Sequence, residues 1–379
     1  MPRVIHISDL HIGARLGRHS QNEDIKKSLD FVADFASAEK ADAVVIAGDV
    51  FDTYNPSSDS EDIYYNFLAR IEDAGAKAII IPGNHDSADR LLAPAGLLRR
   101  HGIFIPRPES GACETFELAL GGQKVSFVAL PYVYESLQAG QAMTGGEEGA
   151  DNYTARFCSI LEGAVGSAAS SNIVVLCHLF VKNCEASGSE RNITLGGANL
   201  VDFSRMPAGV AYYAFGHLHR CQAVAQNARY SGSLVPVSID EAAFDKKLIF
   251  FEIGDGELLR CEEIVIPRYS GYRKIEGSFG YVIGEIGKMG NAYVSLVFNE
   301  VLSLGAQEEL HKAARARNIR IVSCSFAIAG ADTFETVRED FSKLSLSELF
   351  GKFIDGRGGD RERLIARFAS VLSKLEGRR

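Results

Sequence analysis

No apolar run in this chain approaches the roughly 18 to 20 residues that a membrane-spanning helix needs. The opening "MPRVIHISDL" also lacks the basic, apolar and small-residue order of a signal peptide, so it reads as a strand of the fold and a cytoplasmic location is expected. Cysteine pairs are missing too. The seven cysteines (113, 158, 177, 184, 221, 261 and 324) are odd in number, scattered, and form no C-x-x-C, so neither a disulfide framework nor a zinc ribbon is indicated. Excess positive charge is absent: the net charge is −9, which excludes a protein coated in basic residues for nucleic acid. That charge is uneven. From residue 271 onward 17 Lys and Arg face 14 Asp and Glu, a balance of +3, which leaves −12 for residues 1 to 270. Local basic patches therefore stay open, and an acidic amino-terminal part suits carboxylates that hold cations. Internal repeats and low-complexity tracts are not found either.

The 379 residues exceed one ordinary core, and 46% hydrophobic with 23% charged content fits a globular protein of two or three domains. The first 235 residues repeat one rhythm: a short β-branched run, then Gly, Asp, Asn or His, then a helical stretch. The runs are "RVIHI", "DAVVIA", "KAIII", "NIVVLC" and "VAYYAF". Continuous apolar runs of this length predict strands covered on both faces, as in an α/β sheet flanked by helices. Between them, "NEDIKKSLDFVADFASAEK" and "SEDIYYNFLARIEDAGA" carry apolar residues at helical spacing. Hairpin signals at Gly121-Gly122 and at Asp255-Gly256 predict a second, more antiparallel sheet stacked on the first. The segment "MTGGEEGADN" reads as an exposed loop. A boundary is expected at 268 to 273, followed by a small α+β domain over 274–330 and a helical tail over 333–379.

What ends each strand carries the chemistry. After the five runs come Asp9 and His11, then Asp49 in "GDVFD", then Asn84, His85 and Asp86, then His178, then His217 and His219. In open α/β sheets ligands collect beyond the carboxyl ends of the strands, so these residues would converge although they span more than 200 positions. Taken singly, the carboxylates and Asn84 could be helix caps and the imidazoles satisfied core residues. Five strand ends with matching ligand types argue against that reading for the set. The mixed oxygen and imidazole donors suit Mn²⁺, Fe²⁺ or Zn²⁺ rather than a thiolate site. They are too many for one ion; with one carboxylate bridging, they would hold two about 3.5 to 4 Å apart. Glycines before Asp49, Asn84 and His217 are expected to let the backbone turn sharply. His6 reads as packing, and His19, His101 and His311 as surface.

The set "D-x-H", "GD-x-x-D", "GNHD", "H", "GH-x-H", in this order, resembles that of the calcineurin-like metallophosphoesterases. Further, "HISDLHIG", "AGDVFDTYNP", "GNHDS", "LGGANLVD", "YYAFGHLHRCQ" and "YSGSLVPVSIDEA" resemble the SbcD family, the nuclease subunit of the bacterial SbcC–SbcD DNA-repair complex. The likeness is strongest through residue 245 and weak over 274–330; Leu234 stands where the family usually has proline.

The resemblance implies a four-layer α-β-β-α sandwich over residues 1–268, with the small domain as a cap and the tail as a dock for the ATPase partner. It implies one metal on Asp9, His11, Asp49 and His219, and a second on Asp49, Asn84, His178 and His217. His85 would face the scissile phosphate as acid or stabiliser, with Asp86 orienting its imidazole. The implied activity is two-metal phosphodiester hydrolysis of DNA (3′ to 5′ on double strands, endonucleolytic on single strands and hairpins), with Mn²⁺ as the ion and Fe²⁺ or Zn²⁺ as alternatives. Implied partners are an SbcC-type coiled-coil ATPase and a second copy, through helices bearing Tyr64, Phe67, Leu91, Leu97 and Leu98. DNA phosphates would meet Arg15, Arg18 and Arg90, with Arg315, Arg317 and Arg320 on the small domain. The main rival is a metallophosphoesterase for small phosphodiesters or phosphoproteins. A second, a non-catalytic DNA-end scaffold, would need a lost ligand or a missing His85, and neither is seen.

Overall fold

The computed structural model describes residues 1–107, 113–132, 147–190 and 200–326. Residues 1–327 form one compact unit. Two six-stranded sheets make its centre. The first runs in the order Glu257–Val265, Lys247–Gly254, Arg3–Ile7, Ala43–Ala47, Lys77–Ile81 and Ile103–Phe104, and its last four strands are parallel. The second runs Gln222–Ala225, Ala228–Tyr230, Tyr212–Gly216, Ile173–His178, Gln123–Leu130 and Glu114–Leu120.

Side-chain alternation explains the stacking. Val4, Val45, Ile79 and Ile81 point between the sheets and meet Phe127, Val174, Leu176, Tyr212 and Phe251. Ile5, Ile7, Val44 and Ile46 point the other way, onto the helices Asn22–Ala38 and Ser58–Asp73. Ile63, Phe67 and Ile71 are the buried line of the second helix, which Ser57 caps through the Ser60 amide. On the far side, Phe157 and Leu161 of the helix Glu147–Gly166 cover Val128, Val175 and Phe215. Layers therefore run α, β, β, α, as the resemblance implied.

Some expectations need correction. The hairpins do not build a separate antiparallel sheet: Lys247–Gly254 with Glu257–Val265 lies on the first sheet, Glu114–Leu120 with Gln123–Leu130 on the second. The five buried runs divide as well, three in the first sheet and two in the second. Part of "MTGGEEGADN" belongs to the helix Glu147–Gly166.

The small α+β unit after the expected boundary at 268 to 273 holds three strands and two helices. Parallel strands Gly271–Gly277, Ala292–Phe298 and Ile319–Phe326 alternate with helices Phe279–Lys288 and Leu304–Ala316. It has its own core around Val282, Ile286, Leu296, Phe298 and Leu310. Leu16, Tyr272 and Tyr293 join it to the main body, with Tyr293 Oη donating to the Ser20 carbonyl (3.0 Å) and His19 Nε2 to that of Ile321 (3.1 Å). The helical tail of 333–379 lies outside the described residues.

Candidate metal centre

Both sheets present the carboxyl ends of their parallel strands to the same place. The loop after Arg3–Ile7 and the loop after Ala43–Ala47 stay paired beyond their strands: the Asp9 amide donates to the Gly48 carbonyl and that of His11 to the Asp49 carbonyl (both 3.0 Å). Asp9, His11, Asp49 and His217 have positive φ of 51°, 43°, 50° and 101°. Non-glycine residues held there cost about 1 to 3 kcal/mol each and persist where surrounding structure over-determines them. Four such residues at one spot mark a built site.

Of the glycines expected to permit turns, only Gly48 has a left-handed backbone, with φ 93°. Gly83 and Gly216 serve by being small. A Cβ on Gly83 would stand 2.2 Å from Asp49 Oδ1, and one on Gly216 would stand 1.8 Å from the Ala47 carbonyl oxygen.

The expected ligands fall into two buried clusters, Asp9 with His11 and His219, and Asp49 with His178 and His217, and a third group joins His11 to Asp52 and His85. His11 Nε2 and His219 Nε2 lie 3.1 Å apart. Two nitrogens about 2.1 Å from one cation and at right angles to each other would be separated by about this distance. Asn84 completes the second cluster, its Oδ1 being 2.9 Å from His178 Nε2 and 3.2 Å from His217 Nδ1. His178 Nδ1 donates to the Ala47 carbonyl (2.8 Å), so in the neutral ring the lone pair of Nε2 points at the amide oxygen. Two acceptors face each other only with a proton or cation between them. Asp49 links the clusters: Oδ2 is 3.4 Å from His178 Nε2 and 3.8 Å from His11 Nε2.

The electrostatics make the same demand. Burial disfavours charge on His11 and His178, yet Asp52 and Asp49 beside the first, and Asp49 beside the second, raise each imidazole to about 9. Burial also works against ionisation of Asp49, but His178, His11 and His85 hold its carboxyl well below the usual range. Asp9, chiefly through burial, is pushed up, and His217, through burial and the His178 charge, is lowered to about 3. The shifts run both ways because buried carboxylates and imidazoles crowd one spot, and a donor set of this kind fits a pair of divalent cations.

His85 stands at the edge of this centre. Its amide donates to Asp49 Oδ1 (2.8 Å) and its Nδ1 to the Asp52 carbonyl (2.9 Å). The expectation that Asp86 orients the imidazole is corrected: that buried carboxylate accepts from the amides of Val50, Phe51 and Gly83 (2.8 to 3.0 Å) and ties the two ligand loops together. Sequence reading missed Asp52, whose Oδ1 is 3.3 Å from His11 Nδ1, although "GDVFD" carried the signal. It also missed Glu190 and Glu241 around His219, which follow no strand end.

His6 packs as expected, and two cysteines near the centre are core thiols. Cys177 points into the core, Cys221 is pushed up to about 12 by burial as a packed thiol, and His6 lies between the sheets against Tyr212 Oη (3.1 Å). Leu234 is a core residue. Tyr64, Phe67 and Leu91 are also core residues, which removes them as contacts with a second copy; Leu97 is exposed.

The arginines separate. Arg18 and Arg315 share a cleft of about 660 Å³ with His19, His311 and Lys312, against the single acid Glu308. Arg15 and Arg317 are exposed. Arg90 pairs with Glu61 (2.6 Å), and Arg320 lies over the Tyr293 ring and bonds Asn291 (2.9 Å).

Fold and donor set together define a calcineurin-like phosphoesterase, and residues 2–221 match that family. The chain is 28% identical to the SbcD subunit of the SbcCD nuclease of Bacillus subtilis (strain 168), covering 99% of this chain and 98% of that protein. It is 31% identical to the SbcD subunit from Rhodobacter capsulatus, covering 70% and 69%, and 23% identical to that of Escherichia coli (strain K12), covering 75% and 73%. The chain belongs to the SbcD family. Among the described residues no helix is long and apolar enough to cross a membrane.

Proposed function

We propose that this chain is a metal-dependent DNA nuclease, the hydrolase subunit of a DNA-end-processing complex with an SbcC-type coiled-coil ATPase. The observation that carries the reading is the pair of donor clusters joined through Asp49, with His85 at their edge. Asp9, His11, Asp49 and His219 would hold one cation, and Asp49, Asn84, His178 and His217 the other. Mn²⁺ suits this mixture of oxygen and imidazole donors, and so do Fe²⁺ and Zn²⁺. Such a pair, when bound, supplies an activated water and neutralises charge on phosphoryl oxygens.

The chain's own residues do the rest. His85 spends Nδ1–H on a carbonyl that can only accept, so in the doubly protonated imidazolium Nε2–H is the proton that would pass to the leaving 3′-oxygen, leaving the ring neutral. Asp86 holds the loop that carries it. Digestion from 3′ to 5′, endonucleolytic cutting of single strands and hairpins, a homodimer and a cytoplasmic location follow from the family reading. So do a nuclease domain over 1–268, a capping domain over 274–330 and a docking tail over 333–379. The basic cleft at Arg18 and Arg315 supports DNA over small phosphodiesters, since a short ester would not need it.

The test is Mn²⁺-dependent cleavage of end-labelled linear double-stranded DNA, with and without the ATPase partner. His85→Ala should lower kcat about 10²- to 10⁴-fold with cation uptake unchanged. Turnover of bis-p-nitrophenyl phosphate with DNA untouched, even with partner, would move the chain to the small-substrate class. Arg18→Ala with Arg315→Ala should weaken DNA binding and flatten the slope of log K against log salt by about 2. An unchanged slope would remove the cleft from the DNA path.

A further inference from the structure

His219 is surrounded by groups that none of the expected ligands explains. Its Nδ1 lies 3.1 Å from Glu241 Oε1 and 2.8 Å from Ser189 Oγ, and Ser189 itself bonds the same carboxylate oxygen. Its amide donates to Glu190 Oε1 (3.1 Å), and its carbonyl accepts from Lys246 Nζ (3.0 Å). Glu241 is 1% exposed and Lys246 5%, and the two are joined at 2.5 Å. Lys246 also donates to Ser233 Oγ (2.8 Å), so all three ammonium protons are used. The second oxygen of Glu241 takes the Val237 amide as well (3.2 Å).

A buried carboxylate and lysine are costly to keep unless the pair fixes something. What it fixes is legible in the donors. An ionised carboxylate only accepts, so the proton of His219 must sit on Nδ1. The lone pair of Nε2 then faces His11 Nε2, 3.1 Å away, in the first donor cluster. We infer that Glu241, clamped by Lys246, is the positioning residue that locks His219 in its cation-binding tautomer. Ser189 braces the same oxygen. Loss of a partner of this kind typically weakens metal affinity about 10- to 100-fold.

The inference rests on the two-cation reading, so the experiment separates them. Mn²⁺ binding is titrated by calorimetry on the full chain as wild type, Glu241→Gln, and Glu241→Gln combined with Lys246→Met. The double variant removes both buried charges and serves where the single one does not fold. A glutamine can donate its amide to Nδ1 and so move the proton to Nε2. Two wild-type sites are expected, with one weakened about 10- to 100-fold in the variants and the other unchanged. Wild-type affinity at both sites in a folded variant overturns the positioning role and leaves the two-cation reading standing. Fewer than two ions on the wild type overturns that reading itself. Histidine ¹⁵N spectra of the Zn²⁺-loaded wild type need no variant: His219 should keep its proton on Nδ1, and a proton on Nε2 sinks the inference.

Discussion

Asp49→Asn should abolish cleavage. The carboxylate stands between the two donor clusters, 3.4 Å from His178 and 3.8 Å from His11, and also accepts the His85 amide at 2.8 Å. Removing one electrostatic donor from an active site typically costs about 10²- to 10³-fold. Here one substitution withdraws charge from both cation positions and loosens the loop that holds His85, so the loss should exceed that range. The isosteric amide avoids a cavity, and circular dichroism should stay close to wild type. Calorimetry should show neither cation binding with its original affinity. Cleavage within tenfold of wild type would end the bridging assignment.

Gly216→Ala should be the most damaging change to stability at the site, although it adds one methyl group. Its Cβ would stand 1.8 Å from the Ala47 carbonyl oxygen and 2.8 Å from His178 Nδ1. Those two atoms share a 2.8 Å hydrogen bond that joins the sheets, and the methyl would press against both. Overpacking of a tight core costs about 1 to 3 kcal/mol, sometimes more, and backbone cannot swing aside as a side-chain end can. A loss of about 3 kcal/mol or more in urea denaturation is the expected result. A loss below about 1 kcal/mol would mean that the sheets part easily here.

The centre was legible because its signals are local. Each ligand follows an apolar run by one to four residues, and the strand-end rule gathers them without knowledge of which sheet each run joins. That sheet membership was not legible. "NIVVLC" and "RVIHI" look alike as patterns, and only pairing partners distant in sequence divide them. The helix Phe279–Lys288 was hidden by its glycines, and its burial of Val282 and Ile286 comes from the small sheet beneath it. Arg90 and Arg320 were expected at DNA phosphates, and their neighbours, Glu61 for the first and the Tyr293 ring for the second, follow no local pattern. Asp86 shows the limit of motif reading most clearly. The residue was found, but its three backbone amides could be seen only in three dimensions.

The division of the donors between the sheets has a mechanical consequence. Asp9, His11, Asp49 and Asn84 follow strands of one sheet, whereas His178 ends a strand of the other and His217 and His219 follow its neighbour. Any ion shared across that seam would act as a rivet between two halves otherwise held by apolar contact and a few hydrogen bonds, among them His178 to the Ala47 carbonyl and His6 to Tyr212. Melting temperature should therefore climb with cation concentration, by about 2.7 kcal/mol of stability per site at a hundredfold excess over Kd. A chelator should open the seam at the catalytic end first, with amide hydrogens of the ligand loops exchanging before those of the inter-sheet core. The ions needed for the chemistry would thus also hold shut the end of the molecule where the chemistry takes place.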